Sequence, residues 1–405
     1  MFLGRRCFIP STICTIALSL AVVLVFAGHV VAQSVREPRF VTVYSFPGQP
    51  DGGFPRGTLI RHSKSTLYGT TFSGGDANWG TIFKLGSDGQ ESIIHSFIYG
   101  PDGANPDTGL TAGPDGTLYG TTSWGGLRWG TVFELEPDGT LTTILTFNYG
   151  NGAYPTARLI RDQDGNLYGT AMGGSGKCAL YGCGVVFKID TLGQETLLHD
   201  FTGSDEDDGF GPNELLRDES GNLYGTTAMG GGEPDPGNGT IFELDAAGAY
   251  TLLYSFKGGA DGARPWGGLV RDCRGNLYGT TWGGGANGNG TIFKFDRAGN
   301  LAVLYSFAGG QDSPFPNGSL VLAGSKLYGT TGRGGDYGYG SVFEVTQHGK
   351  YTVRHNFSGG SDGGYPRATL VRAPGNEMYG SPEQGGITGG PCGTFGCGTI
   401  FKIKP

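Results

Sequence analysis

One tripeptide governs this chain of 405 residues. Leu-Tyr-Gly returns with its Leu at 67, 118, 167, 223, 277 and 327, and Met378-Tyr379-Gly380 makes a seventh copy. The spacings are 51, 49, 56, 54, 50 and 51. Three further anchors keep step. A segment that usually reads Gly-Thr-Ile/Val-Phe has its Phe at 83, 133, 187, 242, 293, 343 and 401. An apolar run ends at Phe46, Phe97, Phe147, Phe201, Phe256, Phe307 and Phe357, and a Pro precedes a Leu by four residues at 55, 106, 155, 212, 265, 316 and 366. Self-similarity at this period marks a repeat architecture in which no unit buries its apolar face alone.

Each unit reads as four short strands. In the third copy these are Arg158–Asp162 (a), Asn166–Thr170 (b), Val185–Ile189 (c) and Glu195–Phe201 (d), bounded by Gly and Asp turn residues. Four antiparallel strands in about 50 residues form a propeller blade. The predicted fold is therefore all-β, a seven-bladed β-propeller over residues 41–405. The segment 41–46 is a lone strand d, and the last unit, 367–403, lacks one, so pairing the two closes the ring and removes two exposed edges. Composition agrees. Gly numbers 80 without a Gly-X-Y period, aromatics make 12%, and charged residues only 16%, which excludes collagen, disorder and helical bundles. The net charge of −8, with no basic stripe, excludes nucleic acid and anionic membrane as partners.

Residues 1–32 read as a signal peptide: Arg5 and Arg6, an apolar run from about Ile13 to Gly28, and Val30-Val31-Ala32 before the cleavage point. An uncleaved anchor and a twin-arginine signal, Gly4-Arg5-Arg6-Cys7-Phe8-Ile9, are the alternatives. Residues 33–40 form a short N-terminal segment. The expected location is secreted or periplasmic, and the expected state is a monomer.

Comparing the seven copies separates scaffold from variable parts. The gap from the strand-c Phe to the strand-d Phe is always 14 residues, whereas the distance from the strand-b anchor to the Gly before strand c runs 13, 12, 17, 16, 13, 13 and 20. In a propeller the b–c and d–a loops share one face, and loops that tolerate length change carry binding. Trp79, Trp124, Trp129, Trp266 and Trp282 fall on that face, as do Phe54, Tyr154, Phe210, Phe315 and Tyr365 beside the d–a proline. They suit stacking on sugar rings or another flat ligand; the alternative is packing on Gly-rich neighbours. The residue after the proline opens the innermost strand and differs in nearly every copy: Arg56, Asp107, Thr156, Asn213, Trp266, Asn317 and Arg367. This diversity in a fixed frame points to a shaped polar pocket at the channel mouth, or to a wet mouth that accepts any residue.

The search for catalytic motifs is sparse. The d–a loop carries Asp51, Asp102, Asp208, Asp261, Asp312 and Asp362 at one position, with Asn151 in the third copy. Short carboxylates there build turns. A Ca²⁺ site is the rival, with Asp205, Asp207 and Asp208 as the weak candidates, although EF-hand spacing is lacking. No other metal or cofactor is expected. Gly359–Gly363 matches a nucleophile elbow without its strand–turn–helix context, and Gly173–Lys177 fails as a phosphate loop. Cys178-x4-Cys183 and Cys392-x4-Cys397 occupy equivalent b–c loops and predict two local disulfides, with zinc as the weaker alternative. Cys273, left over in the mature chain, is expected as a free thiol.

Copies such as Leu118–Gly126 followed by Gly130–Glu134, together with the Cys-x4-Cys-Gly insert, resemble the GloVer tandem repeat of exported bacterial proteins, over essentially all of residues 41–405. The resemblance implies an exported repeat protein without an assigned activity, often with a C-terminal anchor. The chain departs there, stopping at Lys404-Pro405, so free release is expected. The first functional reading is a binding module for an extracytoplasmic ligand, glycan or protein, acting through the d–a/b–c face. The alternative is a propeller enzyme (lactonase, lyase or quinoprotein-like oxidoreductase) with a metal or cofactor held near Asp107, Asn213 and Asn317.

Overall fold

The computed structural model describes residues 39–405 except 63–65, 156, 175–177, 179–181, 204–207, 233–236 and 313. The predicted signal peptide, Thr156, Asp205 and Asp207 lie outside the described residues. Seven small antiparallel sheets, with one further two-stranded rung of Gly364–Pro366 and Pro382–Gln384 beside the last of them, form a β-propeller, and two 3₁₀ turns are the only helical structure among the described residues. Blade 1 holds strands a to d at Ile60–Arg61, Leu67–Thr71, Thr81–Leu85 and Glu91–Ser96. Blades 2 to 6 repeat this over 111–146, 153–200, 210–255, 263–306 and 321–356. Blade 7 takes Val371–Arg372, Met378–Gly380 and Thr399–Lys404 from the end of the chain and its outer strand, Arg39–Ser45, from the beginning. The register runs from Arg39 opposite Lys404 to Ser45 opposite Thr399, with one irregularity between Thr42 and Tyr44. The ring is closed as the two odd strands predict.

The repeated residues are explained by packing between blades. Each strand-d Phe meets the strand-c Phe of the next blade: Phe97–Phe133, Phe147–Phe187, Phe201–Phe242, Phe256–Phe293, Phe307–Phe343 and Phe357–Phe401, with centroids 5.3–5.9 Å apart. Phe46–Phe83, at 5.2 Å, does the same across the closure. Seven apolar clusters result, each shared by two neighbouring blades, so the core lies between sheets rather than within them. The glycine of Leu-Tyr-Gly makes room for this. A methyl group on Gly69 would sit 2.6 Å from Phe83 Cζ and 2.7 Å from Leu59 Cδ2, and the same two partners recur around Gly279 and Gly329. Threonines pair across strands b and c beside it, as in Thr71–Thr81 at 2.7 Å and Thr281–Thr291 at 2.8 Å.

The inner strand departs from expectation. Arg158–Asp162 reads as one strand in the sequence, but only Ile160–Arg161 pairs there, and Ala153–Pro155 forms a separate rung against the far end of strand b. The cause is the residue before the d–a proline. Phe54, Asn105, Tyr154, Gly211, Arg264, Phe315 and Tyr365 all have positive φ, from 49° to 67°. Each N–H donates to the last b–c loop carbonyl of the preceding blade, for example Asn105 to Trp79 O at 2.7 Å and Tyr154 to Trp129 O at 2.8 Å. A non-glycine residue in this region costs about 1–2 kcal/mol. The inter-blade hydrogen bond offsets that cost and turns the following residues toward the axis.

Both predicted disulfides are present, Cys178–Cys183 and Cys392–Cys397, with Cα–Cα distances of 5.2 and 5.3 Å. They fit an oxidising, extracytoplasmic compartment. Cys273 is a correction: it is disulfide-bonded rather than free.

The closure carries an acidic contact at its outer edge. Burial, reinforced by the Asp51 carboxylate, pushes Glu91 up to about 7, while a hydrogen bond from the Tyr44 hydroxyl pulls the other way. A carboxyl raised in the folded state stabilises fully below its unfolded value and loses that contribution as pH rises through about 7. Glu91→Gln is therefore expected to be more stable than the parent at pH 8, by on the order of 1 kcal/mol after allowing for the half-exposed setting, and equal to it near pH 4. Melting curves of both proteins between pH 4 and 8 check this, because every other titration is common to the pair. A constant difference across the range counts against it.

Candidate functional site

The d–a and b–c loops lie on one face, joined by bridges such as Gly53–Ser73 and Ala104–Trp124. The inner strands crowd the axis beneath them. A methyl group on Gly109 would meet Thr58 O at 2.6 Å, one on Gly267 would meet Gly318 O at 2.9 Å, and one on Gly318 would meet Ala368 O at 3.0 Å. A belt of hydrogen bonds crosses the blades at this level. Gly268 N–H donates to Ser319 Oγ at 2.8 Å, Ser319 N–H to Thr369 Oγ1 at 3.0 Å and Thr369 N–H to Thr58 Oγ1 at 3.3 Å. Glu214 reaches in from blade 4, accepting from Ser319 Oγ at 2.7 Å and from Arg158 Nε at 3.1 Å. The belt forms a floor, and the residues after the prolines stand above it.

On one side these residues converge. Glu383, with only 5% of its side chain exposed, accepts from Arg56 Nε at 3.0 Å through Oε2 and forms an ion pair with Arg367, whose Nε lies 3.1 Å from Oε1. Arg56 Nη1 lies 3.6 Å from Asp107 Oδ1, and its guanidinium covers the Phe72 ring at 4.0 Å. Asp107 keeps 41% of its side chain exposed. Desolvation by the surrounding protein pushes its carboxyl above the usual range, against the pull of Arg56 and Arg367. Blades 7, 1 and 2 thus build one charged wall.

Blades 5 and 6 build an aromatic one. Trp282 stacks on Phe315 at 4.6 Å and 26°, and Trp266, 55% exposed, stands 6.3 Å from Trp282. Nearby, the hydroxyls of Thr280 and Thr330 are buried without a partner, although their counterparts Thr70, Thr170 and Thr226 each hold a carbonyl of the next blade's inner strand.

Other predicted residues serve the scaffold. Asn213 spends its amide on Thr226 Oγ1 at 3.0 Å and Pro265 O at 2.8 Å, tying blade 4 to blade 5. Asn317 packs against Gly332. Trp79 packs on Tyr99 at 4.6 Å, Trp124 on Tyr154 at 4.8 Å, and Trp129 on Tyr149 at 5.0 Å and Tyr154 at 5.4 Å; these contacts are to aromatic rings, and Trp79 and Trp124 remain 38% and 40% exposed. The d–a aspartates close turns. Asp208 accepts from Thr202 N–H at 3.0 Å and contacts His199 Nε2 at 2.9 Å, and Asp362 repeats this with Ser358 and His355. Burial pushes Asp208 up, but His199 and the Thr202 donors outweigh it and hold the carboxyl below its ordinary range. Among the described residues, no group of three or more His, Cys, Asp and Glu is arranged to hold a metal ion.

Glu383 escaped the sequence reading, although a signal was there. The position after Leu-Tyr-Gly-Thr-Thr reads Phe72, Ser123, Met172, Ala228, Trp282, Gly332 and Glu383, seven different residues behind a nearly fixed stretch.

Comparison with solved structures supports the fold. The extracellular domain of a hybrid two-component system from B. thetaiotaomicron is similar with a TM-score of 0.57 and 11% identity, over 91% of this chain and 41% of that one. The extracellular domain of a one-component system from the same organism gives 0.51 and 13%, over 90% and 42%. This chain therefore spans less than half the length of either. A candidate 6-phosphogluconolactonase from Bacteroides uniformis gives 0.51 and 17%, over 78% of this chain and 88% of that one. At such identities the likeness concerns the propeller fold alone. No curated protein matches the sequence. The Gloeobacter/Verrucomicrobia repeat, in contrast, is matched over residues 27–235 and again over 211–405, so the chain belongs to the Gloeobacter/Verrucomicrobia repeat family.

Proposed function

We propose that this protein acts after export, as a monomer in the periplasm or medium, to bind a saccharide at the channel mouth of its loop face. Two clusters on the loop face support the reading. An exposed Trp266 beside the stacked Trp282–Phe315 pair offers an apolar face of the kind a sugar ring lies on, and the cluster of Arg56, Arg367, Glu383 and Asp107 offers donors and acceptors for hydroxyls. The rigid belt beneath lowers the ordering cost of binding.

Titration of the purified protein against a panel of neutral and acidic oligosaccharides tests this. Trp266→Ala is expected to weaken binding about tenfold, the scale of one well-placed aromatic contact, while Trp79→Ala leaves it within about twofold. Equal losses from both variants, or no binding across the panel, would overturn the saccharide reading.

A further inference from the structure

We infer that the charged wall is a carboxylate-accepting subsite and that the preferred saccharide is acidic, a uronate-containing chain. This rests on the binding reading above and deepens it.

Three observations carry the inference. First, the two arginines are already aimed. Arg56 donates its Nε–H to Oε2 of the buried Glu383, and Arg367 pairs with Oε1 of the same carboxylate at 3.1 Å, so one anchor holds both guanidinium groups. Arginine reads planar carboxylates through paired donors, and a fork held beforehand loses less freedom on binding. Secondly, a carboxylate already rests against the pair. Asp107 approaches Arg56 at 3.6 Å, longer than a hydrogen bond, and its side chain is substantially exposed. It is a loosely held internal stand-in for a ligand carboxylate, and a ligand that makes shorter contacts displaces it. Thirdly, the same loop face carries an exposed Trp266 and a stacked Trp282–Phe315 pair, aromatic surface of the kind that takes a sugar ring.

Glu383 sets the selectivity. It neutralises one of the two positive charges, and Asp107 neutralises the other in the free protein. A uronate that replaces Asp107 restores that balance, whereas a neutral sugar leaves the Asp107–Arg56 contact in place and gains nothing from it. A free monoacid without a ring engages the arginines but not Trp266.

The test compares four probes by calorimetry on the intact protein: a uronate oligosaccharide, its methyl ester, a neutral oligosaccharide of equal length, and a sulfated neutral oligosaccharide. The uronate is expected to bind at least about tenfold more tightly than its methyl ester, the size expected from charge-assisted hydrogen bonds. Arg367→Gln, at a half-exposed position, is expected to abolish that preference, so that the uronate and its methyl ester bind within about twofold of each other. Asp107→Asn is expected to tighten uronate binding about threefold or more by removing the internal competitor. A melting point for each variant near that of the parent checks that the fold is kept. Equal binding of uronate and methyl ester, or sulfate binding as tight as uronate, would overturn the carboxylate subsite while leaving saccharide binding standing. Failure of all four probes would overturn both. If Asp107→Asn instead weakens uronate binding, Asp107 contacts the ligand and the stand-in role is wrong.

Discussion

Removal of residues 33–46 will leave no soluble folded monomer. The strand Arg39–Ser45 contributes the outer edge of blade 7 through a ladder with Thr399–Lys404. At about 1 kcal/mol per net hydrogen bond the ladder alone supplies several kcal/mol. Its aromatic residues do more, because one strand serves two cores. Phe40 packs with Phe357 and Phe401 between blades 6 and 7, and the fully buried Phe46 packs with Leu59, Leu67 and Phe83 between blades 7 and 1. Burial of such side chains is worth about 1.5–3 kcal/mol each. Together these match the whole stability of an ordinary domain, about 5–15 kcal/mol. Expression, size-exclusion chromatography and melting of the truncated chain decide it. The single variant Phe46→Ala, expected to cost about 3–5 kcal/mol, separates loss of the core from loss of the ladder. A truncated chain that is monomeric and melts like the parent would refute the seal.

Gly279→Val will be nearly as damaging. The strand-c ring of Phe293 lies across this position. A first side-chain carbon would sit 2.6 Å from Phe293 Cζ and 3.0 Å from Leu269 Cδ2, closer than packed atoms approach. Either the ring rotates out of the core it shares with Ile241 and Phe256, or strands a and c separate. Overpacking of this kind costs about 1–3 kcal/mol, and more where neighbours are fixed on both sides. The expected result is a marked fall in melting temperature for Gly279→Ala and failure to accumulate for Gly279→Val. Phe293→Leu in the same chain should recover part of the Gly279→Ala loss, since it removes the atoms that collide. An unchanged melting point for Gly279→Ala would show that the glycine serves some other purpose.

The same reasoning shows why the architecture was readable from residues alone and the site only partly so. Phe, Gly and Leu recur because each blade repeats one steric problem, and seven copies of one solution are visible as a period. The two unmatched strands, one at each end of the repeat array, made closure legible as well. The break in the inner strand was not legible. Phe54, Asn105, Tyr154, Arg264, Phe315 and Tyr365 adopt positive φ without being glycine, and their side chains gave no sign of it. Of the residues after the prolines, Arg56, Asp107 and Arg367 do meet, but the partner that unites them, Glu383, lies one strand away in sequence and is brought over by the ring. Asn213 has the chemistry of a ligand contact, and nothing local reveals that Pro265 of the next blade consumes its amide. The aromatic residues divided for a similar reason. Trp129 ends a b–c loop whose carbonyl accepts from Tyr154 N–H, and its ring packs on that same Tyr154, whereas the Trp79 carbonyl holds Asn105 and its ring lies on Tyr99.

The order of pairing at the seam has a consequence for biogenesis. Thr42 finds its partner in Phe401 and Ser45 finds its partner in Thr399, so the first strand to leave the ribosome waits for the last. Until then Phe40 lacks its Phe401 partner and the inner strands of blade 7 have no outer neighbour. Contacts so distant along the chain are slow to form and leave sticky intermediates meanwhile. Closing the ring therefore needs both ends of the repeat array in one place, and it is the pairing with the greatest loop-closure cost in the fold.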